Sequence, residues 1–176
     1  MNRAFLLGLG ALSFSLLACG QVKRPDGGLG LLPVGAVAPD LQGRDPSGKM
    51  VKLSEVRGTK AVVYFYPKDG TPGCTTEACA FRDAFKRYEA AHVTLFGVSQ
   101  DTAENHDEFA KDHQLPFPLV ADEDGVIARE YGVSSTLGMD SRVTFLVGAD
   151  GKVAKVWPKV DPGVHADDVL KAATEP

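Results

Sequence analysis

Six consecutive residues, Ala61-Val62-Val63-Tyr64-Phe65-Tyr66, contain no charge and no turn former. A run of apolar, aromatic and β-branched side chains suits a strand buried on both faces, which needs cover above and below. The turn-rich run Pro67–Gly73, PKDGTPG, follows it, and a helical pattern begins at Cys74. Cys74, Ala78, Phe81, Phe85 and Tyr88 recur at intervals of four, three, four and three, which is one face of an α-helix. Cys79 is off that stripe and shares its side with Arg82, Asp83 and Lys86. One cysteine therefore faces a packed interface and the other faces water.

Thr71 suits the N-cap of this helix and Pro72 its first position, so Cys74 falls in the first turn. Unpaired backbone N–H groups and the positive end of the helix dipole favour an anion there. The thiolate is the nucleophilic form of cysteine, so position alone makes Cys74 a candidate reactive residue. A buried structural cysteine is the alternative. The Thr-Pro-Gly cap and the second cysteine weigh against it. Five residues of helix separate the two Cα atoms by roughly 8.5 Å, beyond the roughly 7 Å that a disulfide spans. The pair cannot bond while the helix is intact, so a disulfide between them would require the first turns to unwind.

Pro67-x-x-x-Thr71-x-x-Cys74 resembles the active-site signature of the peroxiredoxins, and TPGCTTEAC resembles their bacterioferritin comigratory protein (PrxQ) branch. The resemblance runs from about Val34 to Leu170. It implies a thiol peroxidase in which Cys74 is the peroxidatic cysteine and Cys79 the resolving one. Cys74 would attack the O–O bond of hydrogen peroxide or an organic hydroperoxide and become a sulfenic acid. Cys79 would then form an intramolecular disulfide with it, and a thioredoxin-like reductant would restore both thiols. No cofactor is implied, because sulfur carries the redox change. The resemblance also gives supporting roles. The Thr71 hydroxyl would bond the thiolate and the incoming peroxide, and Pro67 would wall the pocket. Ser141-Arg142-Val143-Thr144-Phe145 resembles the motif that faces an arginine toward the cysteine, where it would stabilise negative charge. Val143 stands where many relatives have Ser or Thr, a change that touches no reacting atom. Glu77 is a secondary candidate for orienting Arg142.

The first eighteen residues read as an address. Arg3 begins a positive region, and Ala4–Leu17 is almost wholly apolar but shorter than the roughly 20 residues that span a membrane. Leu16-Leu17-Ala18-Cys19 resembles a bacterial lipobox, with Cys19 as the lipid-bearing residue after cleavage. An ordinary secretory signal is the alternative. The expected organisation is a removed signal at 1–18, a Gly/Pro-rich tether at 19–33 and a single domain at 34–176. A flexible coil of that length would hold the domain about 20 Å from its anchor. The implied location is the bacterial cell envelope, outside the cytoplasm, with membrane attachment through Cys19.

Removing Arg3 with the signal leaves 18 basic and 23 acidic residues, a mildly acidic chain with no basic stripe, so nucleic-acid binding has no support. The predicted order is a hairpin within Pro39–Gly58 and a strand at Ala61–Tyr66, then a helix from Cys74 to about Ala90. A strand at Val93–Ser99, a helix at Thr102–His113, a strand at Phe117–Ala121 and a helix at Asp124–Tyr131 come next. A hairpin of Val143–Val147 and Val153–Trp157 and a final helix from about His165 to Ala173 complete it. This alternation predicts an α/β chain with a central mixed sheet and helices on both faces, and a thioredoxin-like fold fits it. His92, His106, His113 and His165 lack metal-ligand spacing. Asp122-Glu123-Asp124-Gly125 reads as a turn capping the next helix, not a calcium loop. Relatives in the PrxQ branch are often monomers. Two other functions compete: a membrane-tethered thiol-disulfide oxidoreductase, which would want C-x-x-C, and a non-enzymatic redox sensor.

Overall fold

A computed structural model describes residues 21–175. Strands β1 (Gln42–Arg44) and β2 (Met50–Lys52) form the first hairpin, followed by a 3-10 turn at Leu53–Val56. Then come β3 (Lys60–Phe65), α1 (Pro72–Ala90), β4 (Val93–Ser99), α2 (Ala103–His113), β5 (Leu119–Ala121) and α3 (Val126–Tyr131). A small hairpin of β6 (Ser135–Thr136) and β7 (Met139–Asp140) precedes β8 (Val143–Val147), β9 (Val153–Trp157) and α4 (His165–Thr174).

Seven strands form one mixed sheet in the order β2-β1-β5-β4-β3-β8-β9. The β3, β4 and β5 strands run parallel, whereas β8 pairs antiparallel with β3. The apolar β3 lies near the middle of the sheet, and its alternate side chains feed two separate cores. Val62, Tyr64 and Tyr66 pack with Cys74, Phe81 and Tyr88 of α1, Phe109 of α2 and Val169 of α4. Ala61, Val63 and Phe65 pack on the other face with Ala128 and Tyr131 of α3, Leu32 and Leu53. Helices therefore cover both faces, as a strand buried on both sides demands, and the fold is thioredoxin-like.

Most predicted elements are present with small shifts at their ends. The α1 helix begins at Pro72, two residues before Cys74. Asp122 caps α3 as expected: its carboxylate accepts from the backbone N–H of Ile127 at 3.0 Å and of Ala128 at 2.8 Å. The β6–β7 hairpin was not predicted. Its turn places Leu137, 93% exposed, at φ 54° beside Gly138 at φ 73°. A large apolar residue is an unusual choice for a left-handed turn position, so Gly138 is the turn signal the sequence carries there.

Residues 21–33 are not the solvated coil expected of a tether. Arg24 is only 8% exposed, and its guanidinium donates to the carbonyls of Leu29, Gly30 and Leu31 at 3.3, 2.7 and 3.2 Å. Leu32 is buried in the α3-side core, and its N–H donates to Tyr131 O at 2.9 Å. The Gly30 carbonyl lies 2.0 Å from where a Cβ on Gly132 would sit, so the end of α3 admits only glycine at this contact. One buried cation collecting three carbonyls turns a Gly/Pro-rich composition into a packed loop. The segment 1–18 and Cys19 lie outside the described residues.

Candidate active site

β3 delivers the chain to Pro67, and the loop from Pro67 to Gly70 is held from below by a buried polar network. Tyr66 Oη donates to Asp69 Oδ1 at 2.7 Å, and Nδ1 of His106 is hydrogen-bonded to Asp69 Oδ2 at 2.7 Å. The Asp69 N–H donates to Asp101 Oδ2 at 2.9 Å, which also accepts from Ser99 Oγ at 2.8 Å. His106 Nε2 lies 3.1 Å from Val120 O. This network ties the loop to β4, β5 and α2 and so fixes where α1 can begin. Sequence reasoning missed it. The available signal was His106 on the same helical stripe as Phe109 and His113.

Thr71 occupies the N-cap position of α1 with extended backbone, but its side chain does not cap the helix. Its hydroxyl donates instead to Lys68 O at 3.0 Å, closing the loop on itself and leaving the oxygen lone pairs as acceptors. Pro67 is half-buried at the loop's start. Pro72 and Gly73 bring Cys74 to the third helical position, where it is 1% exposed. Its Sγ accepts from Arg142 Nη2 at 3.2 Å. Arg142 arrives from the residue before β8, and β8 is registered on β3 so that Val143 opposes Phe65. Sheet pairing thus carries a guanidinium across 68 positions of sequence to the start of α1.

The other end of that guanidinium is held by a carboxylate. Arg142 Nη1 donates to Glu77 Oε2, and Glu77 is fully buried one turn beyond Cys74. Burial pushes the Glu77 carboxyl up to about 7, while the charge and hydrogen bond of Arg142 oppose that rise. Glu77 Oε1 has no hydrogen-bond partner. Glu77, a secondary candidate on sequence, is therefore in direct contact with Arg142. Gly73 lies beside this pair, since a Cβ there would sit 3.4 Å from Arg142 Nη2.

Cys79 is half-buried on the same unbroken helix, and both thiols are free. Trp157 is half-buried and stacks edge-on against His165 at 5.8 Å. Burial pushes the His165 imidazole down to about 4. Among the described residues, no three His, Cys, Asp or Glu side chains cluster as metal ligands would. A cavity of about 930 Å³ lies between the β1–β2 hairpin and α2, but none of the residues around Cys74 lines it. The reactive geometry is the Cys74–Arg142–Glu77 arrangement at the start of α1.

The family profile described as AhpC/TSA matches residues 34–156. The chain is a peroxiredoxin. Within the peroxiredoxins it is similar to peroxiredoxin Bcp of Bacillus subtilis, with 38% identity over 80% of this chain and 94% of that one. Chloroplastic peroxiredoxin Q of Oryza sativa subsp. japonica is 37% identical over 88% of this chain and 68% of its own. Among solved structures, peroxidoxin BcpB from Mycobacterium tuberculosis superposes with a TM-score of 0.73 at 32% identity, over 81% of this chain and 96% of that one. Xanthomonas campestris peroxiredoxin Q gives 0.67 at 36% identity, over 76% and 89%. The chain thus belongs with the Bcp/PrxQ peroxiredoxins and is a thiol peroxidase, an oxidoreductase of antioxidant function.

Proposed function

We propose that this peroxiredoxin reduces hydrogen peroxide and organic hydroperoxides by a two-cysteine cycle within one chain. Cys74 thiolate attacks the distal oxygen of the peroxide. The S–O bond forms, the O–O bond breaks, and the leaving oxygen takes a proton to become water or an alcohol. Arg142 Nη2, 3.2 Å from Cys74 Sγ, is the observation that carries this reading. A fixed cation there faces the negative charge that builds on the reacting oxygens. Thr71 offers its free lone pairs to the peroxide O–H, and Pro67, with no N–H, walls the loop side. Glu77 holds Arg142 in place without touching substrate. Cys79 then attacks the sulfenic sulfur to form the disulfide once the first turns of α1 unwind. A thioredoxin-like dithiol protein returns two electrons and two protons. A Xanthomonas campestris bacterioferritin comigratory protein of similar structure is described for alkyl peroxide reduction, which supports the organic substrates.

The lipobox-like Leu16–Cys19 supports an envelope lipoprotein whose domain works outside the cytoplasm. Because the packed chain is already engaged at Val22, whose carbonyl accepts from Gly30 N–H at 2.7 Å, the spacer after Cys19 is short. The domain then sits within about 10 Å of its anchor, closer than a coiled tether of the whole 19–33 run would hold it.

Turnover separates the competing functions. With a dithiol protein as electron donor, the wild type consumes peroxide catalytically and Cys74→Ser consumes none. Rapid reduction of insulin disulfides without peroxide turnover would replace this reading with a thiol-disulfide exchange enzyme.

A further inference from the structure

The turn that ends β4 touches both sides of the Cys74 site. Asp101, 8% exposed, accepts from the Asp69 N–H and from Ser99 Oγ, which fixes the loop ahead of Cys74. The residue before it faces another element. Gln100 Nε2 donates to Asp140 Oδ1 at 2.6 Å, and Ser135 Oγ donates to the same oxygen at 2.5 Å. Asp140 ends the β6–β7 hairpin, pairs across it with Ser135, and stands two positions before Arg142. Among the described residues that hairpin is a sheet of its own, with no backbone pairing to the seven-stranded one. The chain leaving it therefore reaches Arg142 without sheet support until Val143 pairs with Phe65. The Gln100–Asp140 bond supplies support from the side, in a tight setting. Asp140 is 2% exposed, and a Cβ on Gly125 would sit 3.1 Å from Gln100 Nε2. Asp140 Oδ2 has no partner, so losing the Gln100 donor would leave a buried carboxyl group shorter still of hydrogen bonds.

We propose that Gln100 is a positioning residue for Cys74 oxidation, holding Arg142 in register with the thiol through Asp140. The proposal rests on the roles given above to Cys74 and Arg142. Gln100 and Asp101 then act as a bracket, in which consecutive residues set the arginine side and the cysteine side of the site against each other. Glu77 fixes the direction of the guanidinium, whereas the bracket fixes where its backbone starts. A hairpin freed from Gln100 lets the Ser141–Arg142 backbone drift, and the 3.2 Å contact from Nη2 to Cys74 Sγ lengthens. A donor displaced from the charge that develops on the reacting oxygens stabilises it less, so oxidation slows while the thiol itself stays in place. Disulfide formation does not use Arg142 and keeps its rate.

Rapid mixing of the reduced protein with hydrogen peroxide resolves the two phases and tests this. Gln100→Met keeps the length of the side chain without its donor, and Asp140→Ala removes the acceptor. Each should slow Cys74 oxidation about three- to tenfold and leave the disulfide-forming phase within about twofold of the wild type. The deciding comparison removes the arginine. In an Arg142→Ala background, Gln100→Met should slow oxidation no further, because it acts through that side chain. Wild-type oxidation rates in both Gln100→Met and Asp140→Ala, equal slowing of the two phases, or a Gln100→Met cost that persists without Arg142 would each overturn the proposal. The last result would assign the bond to general support of the fold. An Arg142→Ala protein that oxidises as fast as the wild type would instead overturn the reading of the site, and the proposal with it.

Discussion

The two cysteines of α1 share a helix and differ in almost everything that surrounds them. Cys74 is buried at the helix start, against an arginine that comes from the start of the neighbouring strand β8 and is held by a buried carboxylate. Cys79 is half-buried, beside an arginine of its own helix that is held by an exposed carboxylate and one carbonyl of α2. The first environment exists only when β3, β8 and α1 are all in place. The second needs only α1 and the end of α2. A sulfur that must meet peroxide in a fixed geometry gains from the rigid setting. In the proposed cycle the second sulfur travels to its partner, and its more exposed setting suits that movement.

The largest expected effect falls on the rigid half. Arg142→Ala should lower the rate of Cys74 oxidation by about a hundredfold or more, the scale seen when one fixed donor to a developing charge is removed. Arg142→Lys should recover little, since one ammonium cannot bridge Cys74 Sγ and Glu77 together. Rapid-mixing peroxide kinetics measures both. If the half around Cys79 also set that step, Arg82→Ala would slow Cys74 oxidation alike. The account expects the Arg82 cost to be at least tenfold smaller.

A second prediction uses pH to probe the burial of the rigid half. The Glu77 carboxyl titrates near 7 in the folded protein, above its ordinary value of 4.5. The folded state therefore binds that proton more tightly, so this contribution to stability is greatest below pH 4.5 and is lost as pH rises through about 7. His165 has the opposite sign. Its imidazole titrates near 4 against an ordinary 6.5, so its contribution is present above 6.5 and is lost as pH falls through 4. Between pH 4.5 and 6.5 the two slopes oppose each other. Denaturant titrations of Glu77→Gln at several pH values should show stability falling more steeply on acidification than in the wild type. The expected difference across the window is on the order of 3 kcal/mol. Parallel curves for the two proteins would mean that Glu77 titrates normally.

Smaller effects refine the boundary between the halves. Gly73→Ala places a methyl group in ordinary contact with Arg142 Nη2, so Cys74 oxidation should slow by only about two- to threefold, read by the same kinetics. Asp83→Asn should be the mildest of all. Its carboxylate is largely exposed, and an exposed ion pair contributes about 1 kcal/mol or less. The denaturation midpoint of that variant should stay close to that of the wild type, because Arg82 keeps its bond to His113.

The sequence was most legible where function and fold use local rules. The all-apolar run before Pro67 announced a doubly covered strand, and the Thr-Pro-Gly sequence with its four-three spacing announced the start of α1 and the face of each cysteine. Long-range polar pairing was harder to read. Nothing local says that Asp69 will meet His106 and Asp101, because that meeting depends on the register of β3 with β4. Arg142 was reachable only through its resemblance to a family motif, for the same reason. The run 21–33 misled in a different way. Glycine and proline report backbone freedom, but they say nothing of one arginine able to gather three carbonyls. Thr71 shows the limit of capping rules: the position was right, and its hydroxyl found a closer partner in Lys68 O.

The most direct test is the mass of the reduced protein after a single equivalent of peroxide, followed through time. The account predicts one peroxide consumed per chain, a transient gain of one oxygen, and then a stable species two hydrogens lighter than the start. Peptide mapping should join Cys74 to Cys79, and Cys79→Ser should stop at the oxygen adduct or beyond it. A wild type that leaves the peroxide unconsumed, or that loses two hydrogens with Cys74 replaced by serine, would contradict it.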